Sequence, residues 1–290
     1  MTDAPLRRPE TARPRDEAPV LAEPVPPDRS ELEAIGRQLL SLWEFAGATV
    51  THLDDLDVEL VTWPERGLAF NHGARPRWAE AAWASRAKAL VERLHGLGQV
   101  PALVVVEELD RPPGLVARLL DSGWLEIGRE QVFWTRRVGV VPHLDPAMRI
   151  EALTAPRVAA YEALERTIFG LSAGEAADRR VALEGGLASG RLRGYLVRIG
   201  KEPVAVARLV QGDGIAVLQG IGVVAERRRQ GYGRLITTIA TRAGLAAGAR
   251  LVWLSVEASN EPAKALYEGL DYRPALTWRR LIHPGQQPRR

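Results

Sequence analysis

Residues 228–233 read Arg228-Arg229-Gln230-Gly231-Tyr232-Gly233. Before them, residues 215–224 (IAVLQGIGVV) are apolar and rich in β-branched side chains, which predicts a largely buried strand. After them, Leu235, Ile236, Ile239, Ala240 and Ala243 recur at helical spacing and predict an amphipathic helix starting near Gly233. The first turn of a helix has N–H groups without intrahelical partners, and the helix dipole adds partial positive charge there. Such a junction suits a phosphate. Gly231 and Gly233 lack the Cβ that would hold a diphosphate off the backbone, and Arg227, Arg228, Arg229 and Arg234 add charge around it. A solvated basic turn before an ordinary helix has the same composition, so the residues downstream of this helix decide between the two.

Residues 250–256 (RLVWLSV) predict another strand, leading into Glu257 and a short helix. Asn260 suits an N-cap, Pro262 suits a first turn, and Ala263, Leu266 and Tyr267 share a face. The order strand, phosphate turn, helix, strand and Tyr-bearing helix resembles the GNAT N-acyltransferase superfamily. Its cofactor motif is Arg or Gln, two residues, Gly, one residue, then Gly or Ala. Arg228, Gly231 and Gly233 fit that motif, and Asn260, Ala263 and Tyr267 fit the second. The resemblance spans residues 146–284, with residues 195–199 and 204–210 as a strand pair turning at 200–203. It departs from the family pattern at Ala225, where Pro is frequent, and at Asp271 and Tyr272, where Gly-Phe is frequent. Asp tolerates a left-handed backbone, and Tyr can replace a core Phe if its hydroxyl finds a partner.

With 290 residues, 46% hydrophobic and 26% charged, the chain has a soluble globular composition and length for two modest cores. It has no Cys, which excludes disulfides, Cys metal sites and a Cys nucleophile and fits a cytoplasmic protein. No apolar run approaches the roughly twenty residues of a membrane span, and the N-terminus has no apolar signal-peptide core. Five scattered His lack ligand spacing, so no metal is expected. His283 lies in a polar tail and reads as exposed; His72 and His143 fall in the first half and its linker. A net charge of +3 without a basic, aromatic-interleaved stripe argues against nucleic acid.

Residues 1–30 hold seven of the twenty prolines and read as a disordered tail. In residues 31–141 the pattern predicts a helix over 32–46, strands at 58–63 and 68–71, and a long helix over 78–94. A strand at 102–106, a short helix at 114–120 and a final hairpin over 124–137 complete the half. This order repeats the second half. Sliding the chain by 148 residues puts Leu103 to Val106 on Leu251 to Leu254, and Gly123 and Trp124 on Asp271 and Tyr272. At that shift Gly231 and Gly233 meet Trp83 and Ser85, and Tyr267 meets Leu119. The expected fold is therefore α/β (α+β): two tandem GNAT-like domains, each a mixed, mostly antiparallel sheet flanked by helices. The cofactor motif belongs to 146–284 alone, and 31–141 is a degenerate copy.

The resemblance implies direct acyl transfer from acetyl-coenzyme A to an amine, with Tyr267 protonating the departing thiolate. An alkyl amine with a pKa near 10 needs a base to accept its proton. Residues 215–224 contain no carboxylate, only Gln219, which leaves Glu257 as the candidate base; a solvated loop carboxylate is an equal reading, and a water-mediated base a further one. The resemblance also implies that backbone groups from Ile221 to Val223 pair with pantetheine. Phosphates would meet Arg228, Arg229, Gln230, Gly231, Tyr232, Gly233 and Arg234, and Asn260 and Ala263 would complete the cofactor site. A small amine is the favoured acceptor; a protein lysine or N-terminus, or a non-catalytic acyl-coenzyme A sensor, are the alternatives.

Overall fold

A computed structural model describes residues 23–63, 66, 70–142 and 146–284. Most of the Pro-rich segment, with His143, lies outside them. The elements are α1 (Arg29–Ala46), β1 (Thr49–Leu53), β2 (Val58–Thr62), β3 (His72–Ala74), α2 (Trp83–Gly96), β4 (Ala102–Val106), α3 (Leu115–Asp121) and β5 (Leu125–Thr135) in the first half. The second has β6 (Met148–Ala152), α4 (Val158–Phe169), α5 (Ala173–Ala188), β7 (Leu192–Ile199), β8 (Glu202–Gly212), β9 (Ile215–Val223), α6 (Tyr232–Ala246), β10 (Val252–Glu257), α7 (Glu261–Glu268) and β11 (Arg273–Ile282).

All eleven strands join one sheet in the order β1-β2-β3-β4-β11-β5-β10-β9-β8-β7-β6. Its centre exchanges strands between the halves. β11, last in the chain, pairs with β4 of the first half, while β5 of the first half pairs with β10 of the second, and β5 and β11 pair with each other. Two parallel contacts flank this centre, β3 on β4 and β9 on β10, each two residues long. Each is bridged by a crossover helix, α2 or α6, as a parallel pair requires. The runs β3–α2–β4–α3–β5 and β9–α6–β10–α7–β11 thus have the same order. Gly123 (φ 94°) and Asp271 (φ 64°), matched by the 148-residue shift, both adopt left-handed backbone after their short helices. The residues behind them, Trp124 and Tyr272, are buried, and the Tyr272 hydroxyl hydrogen-bonds Thr241 Oγ1 at 2.6 Å.

The larger core joins β5 to β10 with α4, α6 and the apolar face of α1, where Ala34, Ile35 and Leu39 are buried. Thus α1, although first in sequence, packs into the second half: Gln38 Oε1 accepts from the fully buried Trp253 Nε1 at 2.6 Å. Its N-terminus is held by a capping box between Asp28 and Glu31. A smaller core under the first half gathers Leu90, Leu94, Leu119 and Trp124.

Several sequence expectations are corrected. The predicted hairpin over 124–137 is one continuous strand, β5, both of whose edges are occupied by strands from the second half. The helix expected from Trp78 starts at Trp83, since Trp78 is buried with its indole N–H donating to the Leu56 carbonyl at 2.7 Å. The strand expected at 68–71 lies at His72–Ala74. β1 went unpredicted because it is a mostly exposed edge strand without apolar alternation. His283 is half-buried against Trp124 rather than exposed.

Candidate functional site

The stretch 228–233 folds as the sequence suggests. Gly231 is the N-cap of α6 at φ 88°, a left-handed backbone that disfavours side chains, and open space lies where its Cβ would be. Arg229 before it is also left-handed, at φ 63°. The chain therefore turns sharply into the helix. No side chain caps α6, in contrast to Asp28 on α1, Ser172 on α5 and Asn260 on α7. Its first-turn N–H groups, with the positive end of the dipole, face a cleft of about 830 Å³ between α6, α7 and β9. A Cβ on Gly233 would come within 3.1 Å of Leu266 Cδ1, so this glycine lets α6 approach α7.

The basic residues divide by their partners. Arg227 pairs with Glu202 at 2.7 Å, and Arg234 donates to the Gly269 carbonyl, tying α6 to the end of α7. Arg228 Nε donates to the Val223 carbonyl at 3.2 Å, and Gln230 Nε2 donates to the Glu226 carbonyl. Arg229 makes no hydrogen bond to a described residue. All four arginines still border the cleft. Polar positions on α6 that periodicity overlooked, Thr237, Thr238 and Thr241, are buried because their hydroxyls bond carbonyls one turn back.

A second cleft, about 550 Å³, opens beside the first where β9 and β10 separate. Their pairing ends after Ala216↔Val252 and Val217↔Trp253. β9 then bulges opposite β8, where Gly220 takes φ 56°. The rest of β9, including Ile221, Gly222 and Val223, borders the first cleft and leaves backbone groups unpaired toward β10. The two clefts meet at Phe169, Ile221, Asn260, Ala263 and Tyr267. Asn260 caps α7, accepting from Ala263 N at 3.2 Å, while also lining the junction. Tyr267 is 8% exposed, and burial pushes its hydroxyl up to about 12. The hydroxyl makes no hydrogen bond to a described residue.

Glu257, at the exposed end of β10, lines the second cleft with a partner that the sequence did not reveal. Glu130 of β5 lies directly opposite it in the strand pairing, so both carboxylates project from one face. Burial, and then the Glu257 charge, raise the Glu130 carboxyl above the usual range, partly offset by hydrogen bonding from Ser255. Opposed like charges cost a sheet stability, which makes the pair notable. Glu130 falls within residues 124–137, which read as a hairpin in the sequence; only the strand exchange brings it to the cleft. α1 adds Leu42 to the same wall. Among the described residues no cluster of three or more His, Cys, Asp or Glu is placed to hold a metal, and no helix is long and apolar enough to cross a membrane.

Comparison with known proteins agrees with this geometry. The Acetyltransferase (GNAT) family model matches residues 159–272, from α4 to the start of β11. The chain carries a GNAT acetyltransferase domain. Solved structures share the wider architecture. A GCN5-related N-acetyltransferase from Kribbella flavida is 20% identical with a TM-score of 0.64, over 87% of this chain and 95% of that one. One from Sphaerobacter thermophilus is 14% identical with a TM-score of 0.59, over 87% of each chain. A tandem GNAT protein from the clavulanic acid biosynthesis pathway is 17% identical with a TM-score of 0.52, over 70% and 68%. No curated protein matches by sequence. The identities to these solved structures speak to fold alone.

Proposed function

We propose that the protein is an acetyl-coenzyme A dependent N-acetyltransferase acting on a small amine. The observation that carries this reading is the junction of the two clefts at Tyr267: an uncapped, glycine-opened helix terminus on one side and a carboxylate pair on the other. In this reading the first-turn amides of α6, with Arg228 and Arg229, hold the diphosphate, and the freed edge of β9 from Ile221 to Val223 pairs with the pantetheine arm. The bound co-substrate supplies an activated acyl thioester. Arg234, bound to a backbone carbonyl, shapes the cradle, and Gly233 and Ala263 keep its walls low, whereas Gln230 and Tyr232, also expected there, do not line the cleft.

Glu130 accepts the ammonium proton, the amine lone pair forms the new N–C bond as the C–S bond breaks, and the second proton shed by the acylated nitrogen goes to the departing thiolate sulfur. A base with a raised pKa is better matched to neutral pH than one in the usual carboxylate range, which favours Glu130 as the base. Glu257 helps hold the ammonium. Tyr267 donates a hydrogen bond to the departing sulfur. With the hydroxyl near 12 and thiols near 8.5, full proton transfer to the thiolate is uphill, so stabilisation by the neutral phenol is the larger part of its role. The cleft volume of about 550 Å³ lies within the range of small-molecule sites and favours a small acceptor over a protein segment. The first half, in the same reading, is a tandem copy without cofactor chemistry that contributes Glu130 and Leu42.

The test is release of free thiol from acetyl-coenzyme A across a panel of amines, with acetyl-coenzyme A binding followed by calorimetry. Binding with amine-dependent turnover supports the reading. Binding without turnover on any amine would favour the sensor alternative, and no binding would remove the cradle assignment.

A further inference from the structure

The wall of the second cleft facing away from Glu130 carries two arginines, Arg179 of α5 and Arg208 of β8. Behind them Glu165 of α4 is fully buried. Its Oε1 lies 3.4 Å from Arg208 Nε and 3.7 Å from Arg179 Nη1, within ion-pair reach but outside hydrogen-bond geometry. A guanidinium carries five N–H donors, and neither arginine places one in a hydrogen bond to a described residue. One buried carboxylate thus faces two guanidinium groups. Glu175, one turn before Arg179, is fully exposed and closes the capping box of α5. Phe169 stacks against Arg179, with its guanidinium 5.3 Å from the ring centre.

The backbone is shaped around this group. A Cβ on Gly220 would lie 2.9 Å from Arg208 Nη2 and 2.9 Å from Glu165 Oε1, so the left-handed glycine in the β9 bulge makes room for the charges. Arg208 is 11% exposed and Arg179 34% exposed, so one is held firmly and the other reaches toward solvent. Burial and then the Arg208 charge hold Arg179 below its ordinary value, a crowding of like charges that an anion relieves. Elsewhere on the cleft the charged groups are Glu130 and Glu257. The site is bipolar: cationic on α5 and β8, anionic on β5 and β10.

We infer that the acceptor is an amine that also bears an anionic group, a carboxylate or a phosphate, which Arg179 and Arg208 hold while the amine faces Glu130 and Glu257. This rests on the acetyltransferase reading and names its substrate class. Guanidinium forks suit both anions, and charge-assisted hydrogen bonds in a partly desolvated cleft are the strong ones.

The experiment measures thiol release from acetyl-coenzyme A with the full chain on matched pairs: amino acids against their carboxamides, and aminoalkyl phosphates against the corresponding amino alcohols. For at least one pair, kcat/KM for the anionic member should exceed that of the neutral member by about tenfold to a hundredfold, the size of one charge-assisted hydrogen bond. Which series shows the gap identifies the anion. In Arg179→Gln the ratio should fall near one through a rise in KM for the anionic members, with acetyl-coenzyme A affinity by calorimetry unchanged. Arg180→Gln, on the exposed face of the same helix, should keep the ratio. Neutral members used equally well, a ratio that survives Arg179→Gln, or binding of acetyl-coenzyme A with no panel amine acetylated would each overturn the inference while leaving the donor site standing. Failure to bind acetyl-coenzyme A would instead remove the acetyltransferase reading, and the inference with it.

Discussion

The starts of α6 and α2 occupy equivalent places in the two halves of the sheet, yet α6 opens on a cleft of about 830 Å³ and α2 on recesses of only about 360 and 200 Å³. Each helix comes after a strand, crosses to a strand parallel to it, and leads on to a short helix ending at a left-handed residue. At α6 the cap is Gly231 and the space above it is empty. At α2 the cap is Ala82 in right-handed backbone, and Trp83 comes next, half-buried beside Trp124 and His283 around a recess of only about 200 Å³. Further on, Tyr267 borders its cleft, while Leu119 in the matching place is fully buried. The shared frame is thus separable from the residues that open the α6 cleft. The first half keeps the frame, and its last strand lends a carboxylate to the other site.

Closing the α6 cleft with the residue type found at α2 should have the largest effect. In Gly231→Trp an indole would stand where α6 is open, and acetyl-coenzyme A affinity by calorimetry should fall at least a hundredfold. The fold should lose only about 1–2 kcal/mol, the cost of a side chain in left-handed backbone. Wild-type affinity in this variant would break the comparison, because the opening at Gly231 would then be incidental. Gly220→Ala puts the same question to the bulge: its Cβ meets buried Arg208 and Glu165, and a loss of about 2–4 kcal/mol by denaturant unfolding is expected.

Much of this contrast was legible in the sequence. β9, α6, β10 and α7 follow from apolar periodicity with Asn260, Pro262 and the glycines, and the indole at Trp83 marked the half without a cradle. Strand partners were not legible. The sequence reads residues 124–137 as a hairpin and does not show that they form one strand between two strands of the other half, because pairing is decided by tertiary packing. Glu130 was hidden for that reason, and the Arg179, Arg208 and Glu165 group because its members come from a helix, a strand and another helix. Trp253 gave only an apolar signal, although its indole is what ties the second half to Gln38 of α1.

Removing the chemistry that distinguishes Tyr267 from Leu119, without touching the frame, should give the next effect. Tyr267→Phe should keep acetyl-coenzyme A binding and lower kcat about a hundredfold, the usual size of a proton-transfer or hydrogen-bond contribution. Glu130→Gln should lower kcat/KM by a similar factor and abolish the acidic limb of its pH profile. A base must be ionised to act, and Glu130 is held above the ordinary carboxylate range, so wild-type activity should fall as pH drops through that raised value. The stability sign is opposite. A carboxyl raised in the folded state burdens the fold when ionised, and that burden lifts as pH falls below the raised pKa. At neutral pH, Glu130→Gln should therefore unfold at the same temperature as wild type or slightly higher. A lower melting temperature with unchanged activity would make Glu130 structural.

The smallest expected effect comes from making α2 resemble α6. Replacing Trp83 and Ser85 together by glycine would give the first half a Gly-x-Gly pair at the start of its helix, yet the other parts of a cradle would still be missing. Leu119 remains where Tyr267 would be, β3 has only three residues to offer a pantetheine arm, and the recess along the helix is only about 200 Å³. The doubly substituted chain should bind acetyl-coenzyme A with one site per chain, as the wild type does in this reading, and with unchanged affinity. Stability should drop by about 1–2 kcal/mol from two glycines near a helix start and the lost packing of Trp83. Calorimetric stoichiometry rising to two would mean that the glycine pair alone turns the shared frame into a cofactor site, and that the two halves differ by those residues and nothing more.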